Sequence, residues 1–275
     1  MSADLIELAP HASDMRGGGR AATRKGYQYM GKQVSLAYKD YLHAEMERER
    51  GKRKGERTRD RLLYAGACVL DDVGYRDSRV ADICALAEVS TASFYTYFEN
   101  RTVLAQDILT GFLHSSFRSE VEVPRKYTAF EALRVANTRW IQIVMCNAGL
   151  IRCVLQLGDE EPVFAELYRR ANQAWCEYVA GVITERYVPK RSNRQVVLLA
   201  VHCLGAMMDE ISRELADGSD TLLGSITAEI APGEEELAEF LSVIWYRTLY
   251  GAVPQVRLRA KAARDLARLA LKPSA

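Results

Sequence analysis

The stretch VADICALAEVSTASFYTYFENRTVL, residues Val80–Leu104, decides the fold. A helical spacing of i, i+3, i+4 and i+7 relates its first apolar residues, which are Val80, Ile83, Cys84 and Ala87. A break follows at Glu88, and Ser90 is a preferred N-cap residue for the next helix. Val89 and Phe94 flank that cap at the positions of a hydrophobic staple. The pattern predicts two short helices joined by a very tight turn.

Four aromatic rings fall within residues 94–98, in the second of these helices. Phe94 and Phe98 are four residues apart and share one helical face, where they can join a core. Tyr95 and Tyr97 fall on other faces, so we expect them at the surface. With a further helix before them, beginning near Arg57, the three helices make a helix-turn-helix arrangement, whose last helix enters the DNA major groove. Hydroxyl groups there can reach phosphate oxygens, and rings or methyl groups can contact thymine methyls.

The apolar positions follow the helical period along nearly the whole chain, which predicts an all-α protein with short helices first and long helices after. Gly74 is placed to end the first helix of the motif. Thr128 and Glu131 form a capping box that opens a later helix, and Pro162 suits the first turn of another. We divide the chain into a partly disordered N-terminal extension with a helix and a basic arm (1–52), a helix-turn-helix domain (53–105), a larger helical domain (106–251) and a basic C-terminal helix or tail (252–275).

The charge is unevenly distributed along the chain. Residues 1–61 hold 14 basic and 9 acidic side chains and residues 252–275 hold 6 and 1, so the formal net charge of +1 leaves the middle at −9. Two basic ends around an acidic middle indicate a polyanionic partner near the ends. In the tail, an apolar stripe favours a packed helix over a nucleic-acid or membrane role. That stripe consists of Leu258, Ala262, Leu266 and Leu269.

The remaining composition argues against several classes of protein. The six cysteines form no C-x-x-C pair and lie in apolar helical patterns, which is typical of reduced thiols in a cytoplasmic protein. The histidines show no metal-ligand spacing, and no signal peptide or apolar run long enough for a bilayer is evident. There is also no nucleophile motif, metal-carboxylate motif or phosphate loop. We therefore expect a cytoplasmic protein without enzymatic activity, metal or cofactor, and without a membrane partner.

The segment from Gly74 to Leu104 resembles the DNA-binding segment of the TetR/AcrR family of bacterial transcriptional regulators. The matching features are Gly74–Tyr75, Val80, Asp82–Ile83, Ala87, Val89–Ser90, Phe94–Tyr95, Tyr97–Phe98, Arg101 and Leu104. The resemblance implies that a helical ligand-binding and dimerisation domain follows, and residues 106–251 are similar to that domain in their general pattern.

Two positions depart from the family pattern. Glu88 stands where the family usually has glycine in the tight turn, and a left-handed backbone there would cost about 1 kcal/mol. Arg79 stands where the family has a threonine cap for the second helix, so Ser78 is the alternative cap.

The resemblance assigns recognition-helix positions and a phosphate contact, the latter to Arg101 in place of the family's lysine. The residues expected to contact DNA are Arg79, Ser90, Thr91, Ser93, Tyr95, Thr96, Tyr97 and Arg101. The basic stretch before the motif predicts an arm on the DNA backbone or in the minor groove, with a solvated linker as the alternative. The arm residues are Arg53, Lys54 and Arg57.

Two further sites are predicted in the long helices. An apolar cavity for a lipophilic or aromatic effector would be lined by Trp140, Met145, Gln156, Phe164, Asn172, Trp175 and His202. A dimer interface, implied by the resemblance, would include Gly205, Met208, Trp245 and Leu249. Burial in the core of one subunit is the alternative for the cavity residues and for the interface residues.

The sequence therefore predicts a homodimeric repressor that binds a palindromic DNA operator and is released by a small-molecule effector. Two alternatives stay open. One is a DNA-architectural or partner-binding helical protein that senses no ligand, and the other is an enzyme built on an α-helical bundle.

Overall fold

A computed structural model describes residues 28–29, 32–33, 36–48, 51, 53–118, 126–187, 193–218 and 221–268. Within these ranges the chain forms the helices α1 (Tyr38–Arg48), α2 (Lys54–Asp77), α3 (Val80–Ala87), α4 (Thr91–Tyr97), α5 (Arg101–Arg118), α6 (Ala129–Cys146), α7 (Ala148–Glu160), α8 (Pro162–Arg186), α9 (Arg194–Asp217), α10 (Leu222–Ile230), α11 (Glu234–Tyr250) and α12 (Lys261–Arg268). Two short strands, β1 (Gln28–Tyr29) and β2 (Lys32–Gln33), pair antiparallel. The predicted all-α architecture is confirmed, while the hairpin was not predicted because two-residue strands show no periodicity. The stretch predicted to be disordered lies mostly outside the described residues.

The helix-turn-helix unit consists of α2, α3 and α4. Gly74 has a φ of 77°, which glycine adopts without strain, and α2 bends there. A second, short helical segment continues to Asp77, so α2 consists of two helices joined at the non-helical Gly74, and the prediction that the first helix ends there is confirmed. α2 packs against α1, α3, α5 and α7, which places it at the centre of the N-terminal half.

The body of the protein consists of α6 to α11. α6 and α7 meet at a bend of 91°, α6 packs along α11, and α9 packs against α7 and α8. The predicted capping box is confirmed at the start of α6, where the Thr128 hydroxyl accepts the Glu131 N–H and the Glu131 carboxylate accepts the Thr128 N–H at 2.8 Å. These bonds lower the pKa of Glu131. Pro162 is the first residue of α8, as predicted.

One continuous apolar core joins the helix-turn-helix unit to the body. It includes Leu62, Phe94, Ile108, Phe112, Val154 and Phe164, from α2, α4, α5, α7 and α8. The domain boundary that we placed after residue 105 falls inside α5, whose buried residues lie on both sides of it. A second core cluster lies between α8, α9 and α11.

α9 is long and apolar enough to cross a bilayer, and so is the bent pair of α6 and α7 when length and composition alone are considered. In this fold α9 contributes Val201, Leu204 and Met208 to the second core cluster. Of its most apolar stretch, 33% is buried in this fold.

The C-terminal helix α12 packs on α11, which confirms the preference for a packed helix. The buried Glu239 carboxylate accepts the backbone N–H groups of Arg259 and Ala260, at 2.7 and 2.5 Å, and so holds the two residues that precede α12. At the other end, the Arg247 guanidinium donates to the carbonyl oxygen of Leu266 at 2.8 Å. The basic tail is thus anchored at both ends of its helix.

Candidate nucleic-acid interface

The rings of α4 divide between two surfaces, as the sequence predicted. Phe94 is fully buried and Phe98 is 2% exposed, and both belong to the core below the helix. Tyr95, by contrast, is 56% exposed. Thr91 and Thr96 are also exposed, whereas Ser93 and Tyr97 are partly buried. The helix therefore presents an uncharged face of hydroxyl groups and one large ring to the solvent.

The turn between α3 and α4 is tight and left-handed. Glu88 has φ 54° and ψ 45°, although it is not glycine, and its side chain is exposed. The Glu88 N–H donates to the carbonyl oxygen of Ala85, and the Val89 N–H donates to that of Cys84. These two hydrogen bonds close the C-terminal end of α3. The predicted tight turn is confirmed, and the structure shows that Glu88 takes the left-handed conformation although it is not glycine.

Ser90 caps α4 by accepting the Ser93 N–H on its hydroxyl oxygen at 3.1 Å, as predicted. Behind the helix, burial raises the pKa of the Cys84 thiol, so this thiol stays protonated at neutral pH. α4 is thus fixed by its cap at one end and by buried rings beneath it.

The start of α3 differs from the sequence prediction. Arg79 occupies the N-cap position without a side-chain capping bond, and its side chain is exposed. The Ser78 hydroxyl instead donates to the carbonyl oxygen of Tyr75 at 2.8 Å, so the prediction that Ser78 caps α3 was wrong. The first N–H groups of α3 consequently lack a side-chain acceptor, which is the arrangement that binds anions at helix N-termini.

Arg101 has an intramolecular role that the sequence did not reveal. Its guanidinium donates to the carbonyl oxygens of Ser78 and Arg76, the latter at 3.3 Å, and lies 4.3 Å from the centre of the Tyr75 ring. The Tyr75 hydroxyl in turn contacts the Thr102 hydroxyl at 2.9 Å. Arg101 therefore stabilises the connection between α2 and α3 through one of its terminal nitrogens, and its contact with a DNA phosphate stays a prediction.

The predicted arm residues lie beside α4. Arg53, Lys54 and Arg57 are exposed around the start of α2. A Cβ atom built on Gly55 would lie 3.5 Å from the Tyr97 hydroxyl oxygen, so the first turn of α2 adjoins the recognition helix. These cations and the exposed face of α4 consequently share one end of the molecule.

Arg59, which the sequence analysis did not single out, lies next to this surface. It pairs with Asp107 at 2.5 Å and lies 5.2 Å from the centre of the Phe98 ring. No local pattern distinguishes it from the neighbouring arginines, because both of its partners are distant in sequence.

The residues predicted to line an effector cavity do not converge on one site. Met145, Gln156 and His202 are exposed, whereas Phe164 is buried against the Tyr75 ring, with ring centres 5.8 Å apart. The other three, which are Trp140, Asn172 and Trp175, are partly buried. Gln156 lines a cleft of about 170 Å³ between the end of α2 and α7.

Some of these residues have partners within the body. The Trp140 indole N–H donates to the Ser212 hydroxyl at 2.9 Å, and Trp175 lies edge-on to Trp245 with ring centres 6.2 Å apart. Among the described residues, no three His, Cys, Asp or Glu side chains are grouped as a metal site.

Three of the four residues predicted at a dimer interface are buried within the subunit. Gly205, Met208 and Trp245 lie in its interior, and Leu249 is partly buried against the same cluster. A Cβ atom on Gly205 would lie 3.1 Å from the Trp175 ring, so this glycine permits a contact between α9 and α8. The structure therefore places Gly205, Met208 and Trp245 in the core of one subunit, where we had predicted a subunit interface.

The outer face of α9 is a different surface. Val196 and Leu199 are 63% and 66% exposed, and His202, Cys203 and Ala206 continue the exposed row. An apolar row of this kind on a long helix is a candidate contact surface.

Comparisons with known proteins agree with this architecture. No family model matches the chain. The chain is 35% identical over 71 residues, 26% of its length, to an uncharacterized HTH-type transcriptional regulator, YdgC, of Bacillus subtilis, and the match spans 36% of that relative.

Two solved structures share the fold at low sequence identity. A TetR-family transcriptional regulator from Streptomyces coelicolor has a TM-score of 0.54 at 14% identity, covering 70% of this chain and 82% of that one. The fatty acid degradation regulator FadR from Bacillus halodurans has a TM-score of 0.51 at 16% identity, covering 76% and 100%. The chain has the fold of TetR-family transcriptional regulators, which confirms the resemblance that the sequence indicated.

Proposed function

We propose that this protein is a transcriptional regulator that binds double-stranded DNA through α4. The observation that carries the proposal is the division of α4, in which Phe94 and Phe98 lock the helix to the core while Tyr95, Thr91 and Thr96 face outward. Because the helix has no charged residue, it would read bases through hydroxyl and ring contacts. The names of the relatives as HTH-type or TetR-family regulators support the same function. We expect the protein to act in the cytoplasm, without catalysis.

The surrounding cations would supply the phosphate contacts. Arg79 at the start of α3 is exposed, and the exposed Arg53, Lys54 and Arg57 lie at the start of α2, whose Gly55 approaches Tyr97 of α4. Affinity falls as the salt concentration rises, and each neutralised phosphate makes the negative slope of log affinity against log salt concentration steeper by about 0.9. We therefore assign the sequence-independent part of DNA binding mainly to these four residues.

A salt titration tests this division of roles. The double variant Arg53→Ala/Arg57→Ala should lower the salt slope by about 2, because two phosphate contacts are lost. Arg186→Ala, which removes an exposed arginine from the far end of α8, is the matched control and should leave the slope unchanged. If the arm variant and the wild type have equal slopes, then the arm residues make no phosphate contact and form a solvated linker.

We propose further that the active form is a homodimer that joins through the exposed face of α9. Val196 and Leu199 would pack against the same row of a second copy, and a two-fold dimer would read a palindromic operator. Leu199→Glu should shift sedimentation at micromolar concentration from dimer to monomer. Val163→Glu, at an exposed apolar residue of α8, should not. A wild-type monomer would rule out this interface.

For the effector, we propose a lipophilic or aromatic molecule that binds near Trp175 in the body. The indole N–H of Trp245, which is 3% exposed, has no hydrogen-bond acceptor among the described residues, and such a group costs about 1–3 kcal/mol. A ligand that places an acceptor against the Trp245 indole, next to Trp175, would remove that cost. Repression would then be relieved if the ligand binds the DNA-incompetent state more tightly.

A screen by tryptophan fluorescence and thermal shift tests the effector proposal. A compound that binds the wild type and loses affinity in Trp175→Ala, and that releases DNA, supports it. Compounds that bind without any change in DNA affinity would favour a protein that does not sense ligands.

A further inference from the structure

The N-terminal helix α1 lies outside the helix-turn-helix unit and contacts both that unit and the body. On one side, the Lys39 ammonium pairs with Asp71 of α2 at 3.0 Å. The buried Tyr38 ring lies edge-on to Phe112 of α5, with ring centres 5.7 Å apart. A Cβ atom on Gly111 would lie 2.2 Å from the Tyr38 hydroxyl oxygen, so glycine is required for this approach.

On the other side, α1 is capped by a residue of the body. Asn147 lies at the 91° bend between α6 and α7 and is 1% exposed. Its side-chain oxygen accepts the N–H of Tyr38, the first residue of α1, at 2.7 Å. Its side-chain nitrogen donates to the carbonyl oxygens of Leu36 and Ile143, at 2.9 and 2.7 Å. One buried amide therefore joins the start of α1 to the end of α6.

The helix-turn-helix unit also caps a helix of the body. The Asp71 carboxylate of α2 accepts the N–H groups of Gly149 and Leu150, at 3.1 and 3.3 Å, in the first turn of α7. A Cβ atom on Gly149 would lie 1.8 Å from the Asp71 carbonyl oxygen, so only glycine allows α7 to approach α2 this closely. Asp71 thus caps α7 while it pairs with Lys39 of α1.

We infer that α1 is a bracket that holds the helix-turn-helix unit in one orientation relative to the body, with Asn147–Leu150 as its anchor. Any change in the angle between α6 and α7 must either carry α1 and α2 along or break these helix caps. Movement of the body therefore reaches the recognition helix through the bend at Asn147. The consequence for DNA affinity rests on the proposed function.

Two buried asparagines of the same region allow a matched test. Asn147→Leu removes the cap of α1, whereas Asn137→Leu removes a buried bond to Ser242 that lies wholly within the body. Hydrogen exchange of the full chain would be followed at the amides of α1. Loss of an N-cap lowers the free energy that is needed to open the helix locally. We therefore expect the amides of α1 to exchange about tenfold faster in Asn147→Leu and at an unchanged rate in Asn137→Leu.

A milder variant covers the case in which Asn147→Leu fails to fold. Lys39→Met removes only the partly exposed ion pair with Asp71, and should speed exchange of α1 about twofold. If Asn147→Leu folds, exchange of α1 that is equal in the two asparagine variants would overturn the bracket. If it does not fold, exchange in Lys39→Met that matches the wild type would overturn it.

DNA binding supplies the second readout. We expect Asn147→Leu to bind the duplex upstream of the coding region about fivefold or more weakly than Asn137→Leu, because a mobile unit must be ordered on binding. Faster exchange with unchanged affinity would overturn the link from the bracket to DNA. A wild type that does not distinguish this duplex from a scrambled one would instead refute the proposed function, and the exchange comparison would still decide the bracket.

Discussion

The left-handed backbone at Glu88 gives a prediction whose magnitude follows from one torsion angle. A non-glycine residue in this conformation costs about 1–2 kcal/mol, because its Cβ crowds the following carbonyl oxygen. Glycine removes that cost but loses about 0.5–1 kcal/mol of backbone freedom on folding. Since the Glu88 side chain is exposed, Glu88→Gly should raise the free energy of unfolding by about 0.5–1 kcal/mol.

Urea unfolding followed by circular dichroism measures this gain as a higher midpoint with an unchanged slope. Glu88→Ala is the matched control, because it removes the carboxylate but keeps the Cβ and the strained backbone. We expect no gain from alanine. If alanine stabilises the protein as much as glycine does, then the charge and not the backbone is responsible, and the reasoning from the φ of 54° is refuted.

The remaining predictions concern the core below α4 and the partly buried carboxyl group of Asp209. Phe94→Ala should lower the free energy of unfolding by about 3–5 kcal/mol, measured in urea, because its ring is fully buried; Tyr95→Ala should change it by less than about 0.5 kcal/mol. Burial raises the pKa of Asp209, which accepts a hydrogen bond from the Tyr168 hydroxyl, so the folded state holds the proton more tightly than the unfolded state. The stability from this group is complete below its ordinary pKa of 3.8 and is lost as the pH rises through the folded pKa. Asp209→Asn should therefore unfold at a higher temperature than the wild type at pH 7, and the difference should disappear as the pH falls toward 3.8; a constant difference would contradict the pKa direction.

The local features of the fold could be predicted because short-range rules determine them. The helical period alone assigns Phe94 to the core and Tyr95 to the surface. The capping box at Thr128 and the proline at the start of α8 likewise depend on neighbours within one turn. For the same reason the tight turn at Glu88 was visible in the sequence.

The partners of polar side chains could not be predicted, because they lie far away along the chain. Asn147 caps a residue 109 positions earlier, and Asp71 caps a residue 78 positions later. The only local signal was that Asn147 follows the end of a predicted helix. The role of Arg101 was missed for the same reason, since its acceptors precede it by 23 and 25 positions.

The assignment of apolar residues to sites failed for a different reason. A residue buried inside a subunit and one buried between subunits have the same sequence pattern. Gly205 and Trp245 fit a dimer interface and a monomer core equally well, and the packing of Gly205 against Trp175 decides for the core. The seven residues of the predicted cavity, four apolar and three polar, were grouped because they lie on the long helices, and the structure places them at different positions.

The central claim is that the outer face of α4 reads DNA. The most direct measurement is fluorescence anisotropy with the duplex immediately upstream of the coding region, against a scrambled duplex, at several salt concentrations. The wild type should prefer the upstream duplex, with affinity that falls as salt rises.

The decisive comparison is between two exposed tyrosines. Tyr95→Ala should weaken binding to the upstream duplex about tenfold or more, whereas Tyr178→Ala, on α8 of the body, should leave it unchanged. Equal and weak binding of the wild type to both duplexes, or equal losses in the two variants, would contradict the account.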